Sequence, residues 1–298
     1  MTVLRISRAG PLTTIQDEGR FGLLRHGISA SGPMDRGAFA AAGALAGGGA
    51  GGIEFTAAGI ELVVGSGSCV AGFAGGGFVA RHNGRVVEWN GAVTLDAGDT
   101  LAITPGAWGN YGYLRFDRNI AVEPVMGSIA TNSRVALGGL KGRPLRAGDV
   151  LELGVPGHTR APLPIPPLAE GPVRFTWGLQ ADMFSRELRS RFAEASFTVT
   201  TRMDRMGVRL DDPEQVFGGA TALSLVSDAI VPGDIQILGD GTPIVLMRDH
   251  QPTGGYPRIA TVIGADLDRF AQLRPGNPVA FQPVSLEHAQ AALRGGGP

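Results

Sequence analysis

Leu95-Asp-Ala-Gly-Asp-Thr-Leu-Ala-Ile103 is the stretch that decides the fold, because it recurs as Leu145-Arg-Ala-Gly-Asp-Val-Leu-Glu-Leu153. Each copy places a Gly-Asp turn directly before a segment in which apolar and polar residues alternate. Such alternation is typical of a half-buried strand, and glycine supplies the positive φ of a tight turn. Looser copies occupy residues 230–237 and 273–281. The recurrence favours a mainly β protein of two related β domains, although turn–strand units also arise independently in β proteins.

The composition agrees with many turns and few long helices. The 298 residues are enough for two domains, and glycine (47) and proline (20) are both frequent. The formal net charge is -1 and no basic run occurs, which argues against nucleic-acid binding as the main role. Six prolines lie within residues 155–172, a composition typical of an extended linker. We therefore predict an N-terminal domain at residues 1–160, a Pro-rich linker at 161–172 and a C-terminal domain at 173–298.

Cysteine usage and hydropathy limit the kinds of bound metal, cross-link and cellular location that we expect for the protein. Cys69 is the only cysteine, so an intrachain disulfide and a cysteine-based metal site are excluded. The histidines show no ligand spacing, and no metal is expected. No apolar stretch approaches the roughly 18 residues of a membrane helix, and the start of the chain lacks the pattern of a signal peptide. A cytoplasmic location is expected.

Two local signals predict a helix and a hairpin. Ser31 precedes an alanine-rich segment that ends at Gly47, and we predict that Ser31 caps a helix there. Pro33 would lie in the first turn, and Asp35 near the positive end of the helix dipole. The small residues would let this helix pack close to a sheet. Asn83-Gly84 lies between two strand-like segments and predicts a tight hairpin turn.

The most polar candidate for a site is Arg248-Asp-His-Gln-Pro-Thr-Gly-Gly-Tyr-Pro257, which lies between apolar runs at 244–247 and 259–263. Strands that bracket such a loop can fix its geometry while the loop carries the chemistry. His250 can carry protons near neutral pH, and Asp249 can orient it if the chain bends there. We predict these two as catalytic. The alternatives are a plain hairpin, or structural pairing with Arg248 or Arg258.

The predicted substrate-binding residues are polar or flexible and lie in predicted loops: Gln16, Asp17, Arg20, Arg205, Gln251, Thr253, Gly254, Gly255 and Tyr256. Backbone N–H groups of the two glycines can approach an anion, and an arginine suits a carboxylate. The alternatives are a solvated loop for the first three residues and a surface ion pair for Arg205. For the glycines the alternative is a tight turn, and for Tyr256 it is packing.

Three motifs in order resemble the allophanate hydrolase subunit 2 family, also called the biotin-dependent carboxyltransferase family or the KipA-like 5-oxoprolinase subunit family. They are Thr13-Thr-Ile-Gln-Asp-Glu-Gly-Arg20 with Ser31-Gly-Pro-Met-Asp35, then Arg205-Met-Gly-Val-Arg-Leu210, then residues 243–247 with Thr253-Gly-Gly-Tyr-Pro-Arg-Ile-Ala-Thr-Val262. The resemblance covers nearly the whole chain. It implies two cyclophilin-like β-barrel domains with a few short helices.

The resemblance also implies an activity and partners. It implies a subunit of a heteromeric ATP-dependent amidohydrolase, above all 5-oxoprolinase, which opens 5-oxoproline to glutamate. The implied partners are the allophanate hydrolase subunit 1 (KipI-like) protein and a LamB/YcsF-like protein of the same enzyme. One alternative is a carboxyltransferase subunit that acts on urea or a related amide with a separate biotin carrier. The other is a non-catalytic regulatory subunit that binds a KipI-like partner.

Cofactor expectations follow from missing motifs. The chain has no biotin attachment motif, and its only lysine, Lys141, lies in Leu140-Lys-Gly-Arg, so no biotin is attached to this chain. It lacks a P-loop, so ATP is expected only at the level of the complex. The chain also departs from the family pattern at Arg115-Phe-Asp-Arg-Asn119, at Pro252 within Gln251-Pro-Thr253, and at Asn277, where an acid is usual.

Overall fold

The computed structural model describes residues 1–157, 170–218 and 225–295. The predicted Pro-rich linker at 161–172 lies outside the described residues except for its last three positions. No helix in the described parts of the chain has the length and apolar character needed to cross a membrane.

The chain divides into two compact units. The first comprises Met1–Phe21 and Ala30–Pro167, and the second comprises Gly22–Ser29 and Leu168–Pro298. The short segment Gly22–Ser29, which contains a 3-10 helix at Leu24–His26, thus groups with the second unit although it precedes most of the first. The predicted domain boundaries stay a prediction.

Ten strands of the first unit form a half-barrel sheet with the strand order β2-β3-β8-β4-β1-β10-β9, and β5 pairs with β6, β7 and β8. The strands are β1 (Thr2–Ala9), β2 (Thr14–Gln16), β3 (Gly52–Thr56), β4 (Ile60–Ser66), β5 (Ser68–His82), β6 (Arg85–Val87), β7 (Ala92–Asp96), β8 (Thr100–Phe116), β9 (Arg118–Ile120) and β10 (Val150–Pro156). Alternate residues of these strands point inward, so that Leu4 of β1 lies opposite Leu151 of β10 in a common apolar core.

Helix α1 (Arg36–Ala46) packs directly on β5. A Cβ at Gly72 of β5 would lie 2.4 Å from the carbonyl oxygen of Ala42 and 2.5 Å from the nitrogen of Ala46. Small residues are therefore required on both sides of this contact, as the alanine-rich sequence predicted. The helix ends at Gly47, whose φ of 100° is the left-handed conformation of a C-cap.

The predicted start of α1 is wrong. The N-cap is Asp35, whose Oδ1 accepts the N–H of Ala38 at 2.8 Å. Ser31 lies four residues earlier, is buried, and has a φ of 57°. Aspartate caps helices as well as serine does, so the local signal fits both residues. The predicted hairpin is confirmed, because Asn83 (φ 51°) and Gly84 (φ 79°) join β5 to β6.

The described strands of the second unit include a closed seven-stranded barrel with the order β11-β18-β15-β16-β13-β12-β19, and β14 pairs with β17 beside it. These strands are β11 (Val173–Trp177), β12 (Ser196–Met203), β13 (Gly207–Asp211), β14 (Asp228–Ala229), β15 (Asp234–Ile237), β16 (Pro243–Leu246), β17 (Thr253–Gly254), β18 (Arg258–Val262) and β19 (Pro278–Pro283). Besides the 3-10 helix at Leu24–His26, the described helical elements of this unit are a 3-10 helix at Ala181–Met183, α2 (Arg186–Glu194), α3 (Gly264–Ala271) and α4 (Leu286–Leu293). The barrel and the half-barrel confirm the predicted mainly β fold.

Phenylalanine rings fill the core of this barrel. Phe192 of α2 stacks on Phe281 of β19 with ring centroids 5.3 Å apart, and Phe175 and Phe197 contact the same rings edge-on or tilted. Burying such rings removes large apolar areas from water, and the pairing geometry adds to the stability of the core. These four rings therefore form a continuous aromatic cluster in the core of the barrel.

All four predicted turn–strand units adopt the same turn. The glycines Gly98, Gly148, Gly233 and Gly276 have φ values from 88° to 95°, as the third position of a type II turn requires. In each turn a side-chain oxygen accepts the backbone N–H three residues earlier. The pairs are Asp99 Oδ2 with Asp96 (2.9 Å), Asp149 Oδ2 with Arg146 (2.9 Å), Asp234 Oδ2 with Val231 (3.0 Å) and Asn277 Oδ1 with Arg274 (2.8 Å).

Asp149→Ala is expected to lower the free energy of unfolding by about 1–3 kcal/mol, because it removes the acceptor of Arg146 and of a charged guanidinium. Arg143 donates to Asp149 through Nη1 (2.8 Å) and Nη2 (2.7 Å), and this pair holds the pKa of Asp149 below 3.8. The contribution is therefore present above the unfolded value of 3.8 and is lost as pH falls through the folded pKa. Urea denaturation at neutral and acidic pH measures both effects.

Asp149→Asn is the matched control, since its amide oxygen still accepts from Arg146. We expect a smaller loss than for alanine. Equal urea midpoints for the wild-type chain and Asp149→Ala would contradict the stabilising role of the turn oxygen.

Candidate functional site

The predicted catalytic loop begins where β16 ends, at one end of the barrel. Three backbone hydrogen bonds fix its first turn: Met247 N to Met206 O (2.8 Å), Asp249 N to Arg205 O (2.7 Å) and His250 N to Met247 O (3.1 Å). Two of them come from the connection between β12 and β13. Residues 247–250 therefore form a rigid corner, which we call the His250 corner.

Arg205 and Asp249, both predicted site residues, form a buried ion pair. Arg205 Nε donates to Asp249 Oδ2 at 2.8 Å and Nη2 donates to Oδ1 at 3.2 Å. Their side chains are only 4% and 3% exposed. Of the predicted alternative partners, Arg248 binds Asp268 at 2.9 Å. A buried charge is tolerated when it is paired in this way, so the pair is a structural element of the corner.

His250 lies in the same corner and is 4% exposed. Its Nδ1 is 2.6 Å from the carbonyl oxygen of Gln251. A carbonyl can only accept, so Nδ1 carries the hydrogen and the neutral ring keeps a lone pair on Nε2. Burial lowers the pKa of His250 below 6.5, while the Gln251 carbonyl, Asp234 and Asp249 act in the opposite direction. The neutral imidazole is a proton acceptor at neutral pH.

Polar groups that are exposed or unpaired follow His250 along the loop. Gln251 Oε1 is buried and has no hydrogen-bond partner among the described residues. Thr253 is exposed, and Tyr256 is 40% exposed. Along the sequence, an amide, a hydroxyl and a phenol thus follow the neutral imidazole within six positions. These donors and acceptors are of the kinds that suit a small amide.

The two glycines of the loop have different neighbours. Gly254 lies in β17, and a Cβ there would meet Gln236 Nε2 at 2.4 Å. That amide donates to the carbonyl oxygen of Tyr256 at 3.2 Å, so Gln236 supports the loop from below. A Cβ at Gly255 would lie 3.2 Å from Leu225 O and 3.7 Å from Ser227 Oγ. A side chain at 254 would therefore displace the Gln236 amide, and an anion-binding role for either glycine stays a prediction.

Sequence reasoning missed a second arginine cluster next to the loop. Arg258, the first residue of β18, donates to Gln180 Oε1 (2.8 Å) and Ala229 O (2.6 Å), and it pairs with Asp228. Its Nη1 also lies 3.6 Å from Asp234 Oδ2. Asp234 lies in a turn that the sequence predicts, and it was the one sign of a charged group here. Its partner Arg258 is 24 residues away and was not predictable from spacing.

Gln16, Asp17 and Arg20 lie in the first unit, where they hold residues 128–131 in place. Gln16 donates to Thr131 O at 3.1 Å, and Asp17 Oδ2 accepts the N–H of Ile129 at 2.8 Å. Arg20 Nη2 donates to Ala130 O at 2.5 Å. The structure brings these three residues together around one loop through internal hydrogen bonds. Their predicted contact with substrate stays a prediction.

A cleft of about 430 Å³ opens in the first unit beside Asp17. Arg115 lies in its wall, 5% exposed, with Nη2 donating to Gly49 O at 2.7 Å and the guanidinium 4.2 Å from the Phe39 ring centre. Asn119 Oδ1 accepts the N–H of Ala50 at 2.7 Å. Two of the residues that depart from the family pattern, Arg115 and Asn119, are thus part of this wall.

The glycine-rich segment at 47–52 does not fit a nucleotide phosphate. It follows the C-terminal end of α1, and the carbonyl oxygens of Gly49 and Gly51 turn inward to accept from Arg115. Helix-borne phosphate sites instead use backbone N–H groups at the N-terminal end of the helix. The segment therefore lacks that geometry, and the binding of ATP at the level of the complex stays a prediction.

Residues 26–283 match the family model of the carboxyltransferase domain, subdomains A and B, and the chain belongs to this family. It is 35% identical over 300 residues to a 5-oxoprolinase subunit of Escherichia coli, covering 97% of this chain and 94% of that protein. The predicted family resemblance is confirmed.

Fungal enzymes share the same region. The chain is 30% identical to urea amidolyase of Lachancea kluyveri over 313 residues, which cover 96% of this chain but 17% of that protein. The crystal structure of the K. lactis urea amidolyase aligns with a TM-score of 0.87 at 27% identity, over 97% of this chain and 19% of that chain. The chain thus spans nearly all of the bacterial protein and less than a fifth of these fungal enzymes.

Gly254→Ala is expected to lower the free energy of unfolding by about 1–3 kcal/mol, because the added methyl group overlaps the buried Gln236 amide and breaks its bond to Tyr256. Gly255→Ala is the matched control and is expected to cost less than about 1 kcal/mol. Thermal and urea unfolding of the two variants measure the difference. A smaller loss for Gly254→Ala than for Gly255→Ala would refute the packing account.

Proposed function

We propose that the protein is a subunit of a heteromeric, ATP-dependent amidohydrolase that opens 5-oxoproline to glutamate. The observation that carries the proposal is the match to the Escherichia coli 5-oxoprolinase subunit, at 35% identity over 97% of this chain and 94% of that protein. Activity would require a KipI-like protein (allophanate hydrolase subunit 1) and a LamB/YcsF-like protein. ATP would bind on a partner, and the complex would work in the cytoplasm.

The chemistry of lactam opening needs the groups found at the His250 corner. Cleavage of an amide C–N bond develops negative charge on the carbonyl oxygen and requires proton transfer to the leaving nitrogen. The neutral imidazole of His250 can accept a proton through Nε2 and pass it on. The Gln251 amide, the Thr253 hydroxyl and the Tyr256 phenol are the proposed hydrogen-bonding groups for the substrate.

A second candidate function is carboxyl transfer to urea or a related amide. It is favoured by the family model, which describes a carboxyltransferase domain, and by the likeness to the urea amidolyase structure. In this case a separate protein would carry biotin. The two functions differ in their co-reactants, since only the second depends on a biotin carboxylase and a biotin carrier.

The decisive assay mixes the purified chain with its KipI-like and LamB/YcsF-like partners, 5-oxoproline and ATP, and measures glutamate. We expect turnover only when all three proteins are present. Glutamate formation no faster than with the partners alone would sink the proposal. Tight binding to the KipI-like partner without turnover would then favour the regulatory alternative.

His250→Ala is expected to lower kcat by at least about 100-fold, the usual range for loss of an acid–base group. The exposed His26 provides a matched control, and His26→Ala should leave the rate unchanged. Circular dichroism and thermal unfolding check that both variants fold. An unchanged rate for a folded His250→Ala protein would remove this residue from the mechanism.

The pH dependence of kcat/KM provides an independent test of His250. Because burial lowers its pKa below 6.5, the neutral base persists to lower pH than in free histidine. As pH falls through the lowered pKa, the imidazole gains a proton on Nε2 and the rate declines. We therefore expect the midpoint of the acidic limb below pH 6.5, in assays from about pH 5 to 8. A midpoint at or above 6.5 would contradict this assignment.

A further inference from the structure

Arg205 is placed by a tight turn between β12 and β13. Asp204 Oδ1 accepts the N–H groups of Met206 (2.7 Å) and Gly207 (3.2 Å), which fixes the backbone on both sides of Arg205. From this position Arg205 reaches Asp249 twice with its side chain and once with its backbone carbonyl. Three hydrogen bonds therefore connect one residue to the first turn of the His250 corner.

We infer that Arg205 is a positioning residue, which holds the His250 corner through Asp249 instead of binding the substrate. The inference deepens the proposed function, since it concerns the same site. The bidentate geometry supports it, because a planar guanidinium that donates to both oxygens of a carboxylate fixes the orientation of that group as well as its distance. The burial of both side chains supports it too, because two buried charges stabilise each other when they are paired and hydrogen-bonded.

The charges around His250 include one arginine–carboxylate pair and one arginine that two carboxylates share. The carboxylates that act on His250 are Asp234 and Asp249. Asp249 is paired with Arg205, and Asp234 lies 3.6 Å from Arg258. Each carboxylate that would favour the imidazolium thus lies beside an arginine, and Arg258 also pairs with Asp228. Removing Arg205 leaves Asp249 uncompensated, so the pKa of His250 should rise. Removing the charge of Asp249 leaves Arg205 uncompensated, so it should fall.

Opposite shifts from the two halves of one ion pair are the central test. The imidazole signals of the full-length chain are followed by NMR during a pH titration, and His250 is assigned by its absence from His250→Gln. We expect Arg205→Met to raise the titration midpoint by about one pH unit and Asp249→Asn to lower it. Arg202→Met, on the same hairpin but exposed, is the control and should leave it unchanged.

Arg205→Lys keeps the positive charge but loses the bidentate contact. It provides a second test if the Arg205→Met variant does not fold. We expect its His250 titration to match the wild type. In the reconstituted complex, its kcat should fall about tenfold with KM within about twofold, because the corner loosens while the substrate contacts remain. A residue that binds substrate would instead raise KM.

The outcomes separate this inference from the proposed function. An inactive wild-type complex removes the proposed function, and the NMR shifts still decide whether Arg205 acts on His250. Shifts of the same sign in Arg205→Met and Asp249→Asn, or no shift in either, overturn the inference. So does an Arg205→Lys variant whose KM rises while kcat is unchanged.

Discussion

In each of four turns, a side-chain oxygen accepts the backbone N–H three residues upstream. The sheets of both units depend on this hydrogen bond. The glycine before this oxygen takes a positive φ, which sends the chain directly into the next strand. In the first unit the turn also joins the neighbouring strand. Gly148 N donates to Ile6 O, and Ile6 N donates to Asp149 O. The turn thus fixes strand register as well as direction, because both bonds belong to one residue of β1.

The same constraint links the fold of the barrel to its site. Asp234 closes its turn through Oδ2, accepts from Thr261 through Oδ1 at 2.7 Å, and lies beside Arg258 and His250. Asp234 therefore supplies a charge as well as an oxygen. Asn277 closes its turn with an amide oxygen alone, so the departure from the family's acid at that position preserves the hydrogen bond. The two turns show that the closing hydrogen bond needs only an oxygen, while the charge of Asp234 has a further neighbour in Arg258.

The sequence predicted what local chemistry determines. The alternating strands, the Gly-Asp turns, the Asn83-Gly84 hairpin and the end of α1 at Gly47 all rest on residues within a few positions of one another. The start of α1 was wrong because distant contacts select it: Asp35 N donates to Tyr113 Oη at 2.8 Å, a residue 78 positions away. The partner of Asp249 was sought among neighbouring arginines, yet it is 44 positions away. Residues so far apart in the sequence come into contact only in the folded barrel, so local sequence patterns do not predict their pairing.

Two buried arginines of the barrel form ion pairs with carboxylates of the same chain, without any substrate. Arg205 with Asp249, and Arg258 with Asp234, are buried pairs, so neither arginine offers an open cationic pocket. Their effect is to hold a neutral imidazole at a fixed place, while Thr253 and Tyr256 of the following loop stay exposed. Catalytic groups held in this way undergo little reorganisation during the reaction, because the ordering occurs when the chain folds. Under the proposed function, the charged pairs would therefore act on the substrate only through His250, and the uncharged residues that follow it would make the direct contacts.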